Sequence, residues 1–128
     1  MKNVLVVDDS PALRGAIRFL LEKQFGLAIC CEAEDGVHAI ATAEALKPDL
    51  IILDLAMPKL HGAAAAPILK RTLPGVPIIL FTMYESAVKA LAPAIGVDMV
   101  LSKSDGFSNL ARCVQDLLYP GQNPSPVR

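Results

Sequence analysis

Five polar residues in this 128-residue chain each follow an apolar run: Asp8 and Asp9 after "VLVV", Asp54 after "IIL", Thr82 after "IILF" and Lys103 after "VLS". Carboxylates gathered in one cleft repel and raise one another's pKa, so three of them together ask for a cation. Mg²⁺ takes octahedral oxygen ligands and typically uses one or two carboxylates, several waters and a phosphate, which suits this inventory better than a full calcium cage. An ammonium and a hydroxyl nearby could each engage an anionic oxygen. A metal, an ammonium and a hydroxyl around one carboxylate form a stabilising cage for a phosphoryl group in transfer. Taken singly, each residue has a more ordinary explanation. An Asp after a strand commonly caps a turn or helix, and a lone Lys beyond an apolar run is usually solvated. Only their joint placement favours chemistry.

The elements that must position these residues are legible as short apolar runs at Val4–Val7, Leu27–Cys31, Leu50–Leu53, Pro77–Phe81 and Met99–Leu101. Val, Ile and Leu fill them almost without polar interruption, as in parallel strands covered on both faces. Helical spacing separates the runs. Leu13, Ile17, Leu20 and Leu21 share one face, with Ser10 at an N-cap and Pro11 at the first helical position. Val37, Ile40 and Ala41 mark a second helix ended by Lys47 and Pro48, and Val88, Leu91, Ala92 and Ile95 another closed by Gly96. Leu110, Val114, Leu117 and Leu118 outline the last. Pro67 and Pro93 fall inside the third and fourth helical stretches, which are therefore expected to be short, kinked or late-starting. Five alternations of strand and helix predict one α/β domain, a doubly wound parallel sheet with right-handed crossovers. Ligands bind such sheets outside the carboxyl ends of the strands, which is where four of the five runs deliver Asp8, Asp9, Asp54, Thr82 and Lys103. The second run offers only Glu32 and Glu34 and has no comparable claim.

Composition narrows the function. The chain has 13 acidic and 12 basic residues with no run of like charge, so direct nucleic-acid or membrane binding is not expected. The start resembles neither a signal peptide nor a membrane span, and a cytoplasmic location is the default expectation. Three cysteines make a poor disulfide framework and are read as core or half-buried residues. His38 and His61 are isolated in sequence and read as surface or turn residues. Residues 119–128, "YPGQNPSPVR", have no periodicity and read as a Pro-rich tail or the start of a linker after a domain spanning 1–118.

"VVDDSP", "LDLAMP" with Gly62 beyond it, "ILFT" and "LSKS", in this order, resemble the receiver domain of two-component response regulators, and the likeness covers residues 2 to about 118. The resemblance implies a chemotaxis-regulator-like sheet of strand order 2-1-3-4-5 flanked by five helices. It implies that Asp54 is the phosphoacceptor for a phosphohistidine of a sensor histidine kinase or histidine phosphotransfer protein. Asp9 and Asp54 would ligate Mg²⁺ directly, Asp8 through water, and Ala56 through its backbone carbonyl. Thr82 and Lys103 would bind phosphoryl oxygens. The fourth helix, fifth strand and fifth helix would carry the output to a downstream protein or an output domain, with transcription regulation and a homodimer among the outcomes the family allows.

The chain departs from the family pattern in places. Val100 stands where most relatives carry the aromatic that moves with the threonine, Ser104 where many have proline, and Met83 where a small residue is common. The Ser104 and "FTMYES" variants resemble receivers attached to helix-turn-helix transcription factors. Ala56 and Tyr84 occupy the positions that tune acyl-phosphate hydrolysis. Two other readings compete. An aspartate-nucleophile phosphohydrolase would usually carry an acid two residues after the nucleophile, where Ala56 stands. An interaction module with the receiver fold would work without phosphorylation.

Overall fold

Alternate residues of the apolar runs face opposite sides of one sheet, and each side is roofed by helices. The structure, a computed structural model, describes residues 2–121. Strands β1 (Asn3–Val7), β2 (Ala28–Ala33), β3 (Leu50–Leu53), β4 (Ile78–Thr82) and β5 (Met99–Ser102) form a five-stranded sheet in the order β2-β1-β3-β4-β5. All four pairings are parallel, with one register irregularity between Val4 and Leu5 on β1. Leu5, Val7, Ile51, Leu53, Ile78 and Leu80 point into one buried cluster. Val4, Val6, Leu50, Ile52, Ile79 and Phe81 point into the other. This burial on both faces is why the runs lack alternation, and fold class and strand order agree with the sequence reading.

Helix α1 (Pro11–Phe19) starts as expected, Ser10 Oγ accepting from the Leu13 amide at 3.2 Å. It then loosens into a π-helical turn over Leu20–Gln24, which the sequence did not signal. Helix α2 (Gly36–Leu46) is capped by the Asp35 side chain and ends at Lys47 in the left-handed region, φ 48°. Its inward face is Ala39 and Ala43, with Ile40 half-buried, whereas Val37 and Ala41 are exposed, so the face differs from the one expected.

Helix α3 (Gly62–Thr72) runs eleven residues with Pro67 inside it and is neither short nor delayed. Pro67 forfeits one helical hydrogen bond, a loss of about 3 kcal/mol in an open helix, but Ala65, Ala66 and Leu69 are fully buried against the sheet and hold the helix in place. The fourth stretch does break, into α4 (Glu85–Val88), a 3₁₀ turn at Lys89–Leu91, and α5 (Ala92–Ile95) with Pro93 in its first turn and Gly96 closing it at φ 83°. Among the described residues the five helical stretches are thus all present, the fourth of them in short pieces. Helix α6 (Ser108–Leu118) buries Leu110, Val114 and Leu118. Cys31 and Cys113 are half-buried against the two clusters, and His38 and His61 are exposed. Tyr119 still packs on the second cluster, and the rest of the Pro-rich tail beyond Gly121 lies outside the described residues.

Candidate functional site

Parallel strands end at one edge, so the residues just past β1, β3, β4 and β5 converge without any long-range sequence signal. Asp8, Asp9 and Asp54 each offer a carboxylate oxygen, and these lie within 4.8 Å of one another. Asp8 and Asp54 are buried, at 2% and 5% exposure, while Asp9 is exposed. The ammonium of Lys103 sits between the two buried acids, 2.8 Å from Asp8 Oδ2 and 3.3 Å from Asp54 Oδ1. Backbone amides complete the fixing: Ser10 donates to Asp8 Oδ1 at 2.9 Å and Leu55 to Asp54 Oδ1 at 2.8 Å.

Burial pushes the Asp54 carboxyl above the usual range, and the Asp8 charge adds to the shift against the opposing pull of Lys103. Burial also works against the charge on Lys103, but its hydrogen bond to Asp8 and the charges of Asp54 and Asp8 outweigh that and raise its pKa. With three acids against one ammonium, the pocket is therefore two positive charges short, the charge of one divalent cation. Hard oxygen donors at this spacing fit a Mg²⁺ ion.

Thr82 ends β4, fully buried and paired in register with Ser102. Its Oγ1 accepts from the Tyr84 amide at 3.0 Å, which leaves the hydroxyl hydrogen available to a phosphoryl oxygen. Met83 and Tyr84 beside it are exposed, at 62% and 56%. Ala56 is exposed on the connection that follows Asp54. This connection is closed at its neck by the Gly62 amide donating to the Leu55 carbonyl at 2.8 Å, and a β-carbon on Gly62 would overlap the Asp54 carbonyl oxygen. Val100 pairs with Leu80 and packs half-buried against the first cluster.

Sequence reasoning passed over Arg14 and Glu32. Arg14 donates from Nε to Glu32 at 2.9 Å and from Nη1 to the Asp8 backbone carbonyl at 2.6 Å. Arg18 takes the other Glu32 oxygen at 2.7 Å and reaches Glu22 at 2.9 Å. Burial opposes the Glu32 charge, but its bonds to Arg18 and Arg14 prevail and hold the carboxyl below its ordinary range. The sequence signal that existed was an Arg on the first helix and a Glu at the end of β2, the strand set aside as having no claim on the site.

A family model for the response regulator receiver domain matches residues 4–115. The chain belongs to this family. Among curated relatives, it is 32% identical over 126 residues to a protein-glutamate methylesterase/protein-glutamine glutaminase of Methanococcoides burtonii, covering 96% of this chain and 36% of that protein. It is 34% identical over 114 residues to the response regulator protein VraR of Staphylococcus saprophyticus, covering 88% of this chain and 54% of the relative. The chain thus spans only a part of the curated relatives it matches. Among solved structures, response regulator protein TrrA of Thermotoga maritima, in complex with Mg²⁺ and BeF, superposes with a TM-score of 0.83 at 32% identity over 91% of this chain and 99% of that one. The response regulator domain of Thermotoga maritima CheB gives a TM-score of 0.78 at 28% identity, covering 92% of this chain and 94% of that one. Receiver domains of two-component signalling are phosphoacceptors that bind Mg²⁺ at an acidic pocket, and this receiver has an acidic cluster in Asp8, Asp9 and Asp54. Where relatives are methylesterases, the enzyme activity belongs to other domains. No helix among the described residues is long and apolar enough to cross a membrane.

Proposed function

We propose that Asp54 is the phosphoacceptor of this receiver and that Asp9, Asp54, Asp8 and the backbone carbonyl of Ala56 hold Mg²⁺ beside it. The observation that carries this reading is the gathering of three carboxylates within 4.8 Å of one another, the two buried ones sharing the single ammonium of Lys103. An Asp54 oxygen forms a bond to phosphorus while the bond from phosphorus to the donor nitrogen breaks, and the donor histidine of a sensor histidine kinase or histidine phosphotransfer protein keeps the electron pair. Bound Mg²⁺ supplies neutralisation of the phosphoryl oxygens and of the repulsion among the acids. Lys103 moves from carboxylate to phosphoryl oxygen as the Asp54 charge is taken up in the acyl phosphate. Thr82 donates its hydroxyl hydrogen to a further phosphoryl oxygen while its Oγ1 goes on accepting from the Tyr84 amide.

We read residues 1–118 as the receiver domain and 119–128 as a Pro-rich tail or linker start, in a cytoplasmic protein. Its output goes to a downstream protein or an output domain, with transcription regulation and homodimerisation as the family's precedents. The exposed, apolar Ala56 provides no leaving-group acid, which argues against the phosphohydrolase reading. Incubation with Mg²⁺ and acetyl phosphate, followed by intact mass, should add one phosphoryl group to the wild type and none to Asp54→Asn. No gain with wild type, together with no beryllofluoride binding, overturns the reading.

A further inference from the structure

Of the three acids, only Asp9 lacks a side-chain partner among the described residues. Asp8 is fixed by Lys103 and the Ser10 amide, and Asp54 by Lys103 and the Leu55 amide. Asp9 is exposed and no neighbouring side chain holds its carboxylate, so what restrains its place is the backbone that carries it. That backbone is the peptide unit joining Asp8 to Asp9, and its carbonyl oxygen is the atom that Arg14 Nη1 holds at 2.6 Å. Because the peptide unit is planar, anchoring the Asp8 oxygen also restrains the Asp9 nitrogen and α-carbon, and with them the point from which the Asp9 side chain leaves the chain. The sheet gives no such support here. The β1 ladder ends with the Asp54 amide on the Val7 carbonyl at 3.0 Å and the Asp8 amide on the Ala33 carbonyl at 3.0 Å, so the Asp8 carbonyl is the first beyond it.

Arg14 can hold this position because it is itself held. Its side chain is 16% exposed, and its Nε is tied to Glu32 Oε1 at 2.9 Å. The β1–β2 register, Val6 opposite Glu32, brings this carboxylate alongside the acidic edge. We propose that Arg14, braced by Glu32, is a positioning residue for the metal face of the pocket, fixing Asp9 through the Asp8 carbonyl. The proposal rests on the reading of Asp8, Asp9 and Asp54 as the Mg²⁺ site, and it gives β2 a part in the site through Arg14.

Partners that orient metal ligands typically change affinity by about ten- to a hundredfold when removed. Mg²⁺ titration of the full chain, followed by amide chemical shifts, should therefore show Arg14→Met binding about tenfold more weakly than wild type. Arg14→Lys, which keeps a charge but loses the fork that serves both Glu32 and the carbonyl, should fall between. Arg18→Met is the control, since Arg18 shares Glu32 and the ion-pair network but does not touch Asp8. It should lower the melting temperature and leave Mg²⁺ affinity within about twofold of wild type. Arg14 variants with wild-type Mg²⁺ affinity overturn the proposal, as does an Arg18→Met loss as large as that of Arg14→Met. If Arg14→Met does not fold, the comparison of Arg14→Lys with Arg18→Met decides. Wild type that binds no Mg²⁺ at millimolar concentration would instead refute the metal-site reading itself.

Discussion

Removing the ammonium of Lys103 should unmask how unfavourable the pocket is without a dication. Lys103 Nζ lies 2.8 Å from Asp8 and 3.3 Å from Asp54, which at an effective dielectric of 20 corresponds to about 6 and about 5 kcal/mol of gross attraction. Desolvation of the three groups offsets much of this, yet breaking a buried pair from one side leaves unpaired charge and typically costs about 3–5 kcal/mol. Lys103→Met is therefore expected to lose about 3 kcal/mol or more at pH 7 without metal, read from urea unfolding followed by far-UV circular dichroism.

The pH dependence has a definite sign. The Lys103 pKa is raised on folding, so its contribution is fully present below the ordinary lysine value and is lost as pH rises through the folded value. Asp54, also raised, binds its proton more tightly in the folded state, so the metal-free protein gains stability as pH falls through that value. Without Lys103 the Asp54 carboxyl should shift further upward, and the deficit of Lys103→Met should shrink between pH 7 and pH 5. Mg²⁺ should shrink it as well, because the variant's acids, with no ammonium beside them, bind the ion more tightly: a variant at ten times its Kd gains about 1.4 kcal/mol and the wild type less. A Lys103→Met protein within 1 kcal/mol of wild type, or a deficit indifferent to both acid and Mg²⁺, refutes the reasoning.

Asp9→Ala removes an exposed acid, so its unfolding free energy should stay within about 0.5 kcal/mol of wild type while Mg²⁺-dependent phosphorylation by acetyl phosphate is lost; retained Mg²⁺ dependence counts against its ligand role. Gly62→Ala drives a β-carbon into the Asp54 carbonyl, so it should cost about 1–3 kcal/mol and slow phosphorylation beyond what the stability loss accounts for, checked by urea midpoint and initial rate. With Ala56 unable to orient a water and Tyr84 exposed beside the threonine, the acyl phosphate should persist for minutes or longer, and rapid loss of the added mass in isolated protein with Mg²⁺ would contradict this.

What could be read from the chain was what a single element decides. Val4–Val7 and Leu50–Leu53 announced themselves because both faces of a parallel strand are buried, and Asp8, Asp9, Asp54, Thr82 and Lys103 followed because parallel strands share an edge. What escaped depended on two elements at once. Arg14 and Glu32 are 18 residues apart and meet only through the β1–β2 register. The π-helical turn at Leu20–Gln24 keeps Leu21 buried, as a regular helix would, so the apolar spacing did not distinguish them. Pro67 was read from its local penalty, whereas the burial of Ala65, Ala66 and Leu69 outweighs it.

The break between α4 and α5 has a consequence for how a signal could leave the pocket. Glu85–Ile95 is three short turns in place of one continuous helix, so few of its hydrogen bonds reinforce one another, and Val88 and Ala92 are its only residues counted in the core among those described. Such a stretch opens as a unit of low local stability, and its amides should exchange with solvent sooner than those of α3 or α6. It is attached to the pocket through the Tyr84 amide on Thr82 Oγ1. With Val100 in place of a ring that would swing, reshaping this stretch would ask for little work from a single phosphoryl group.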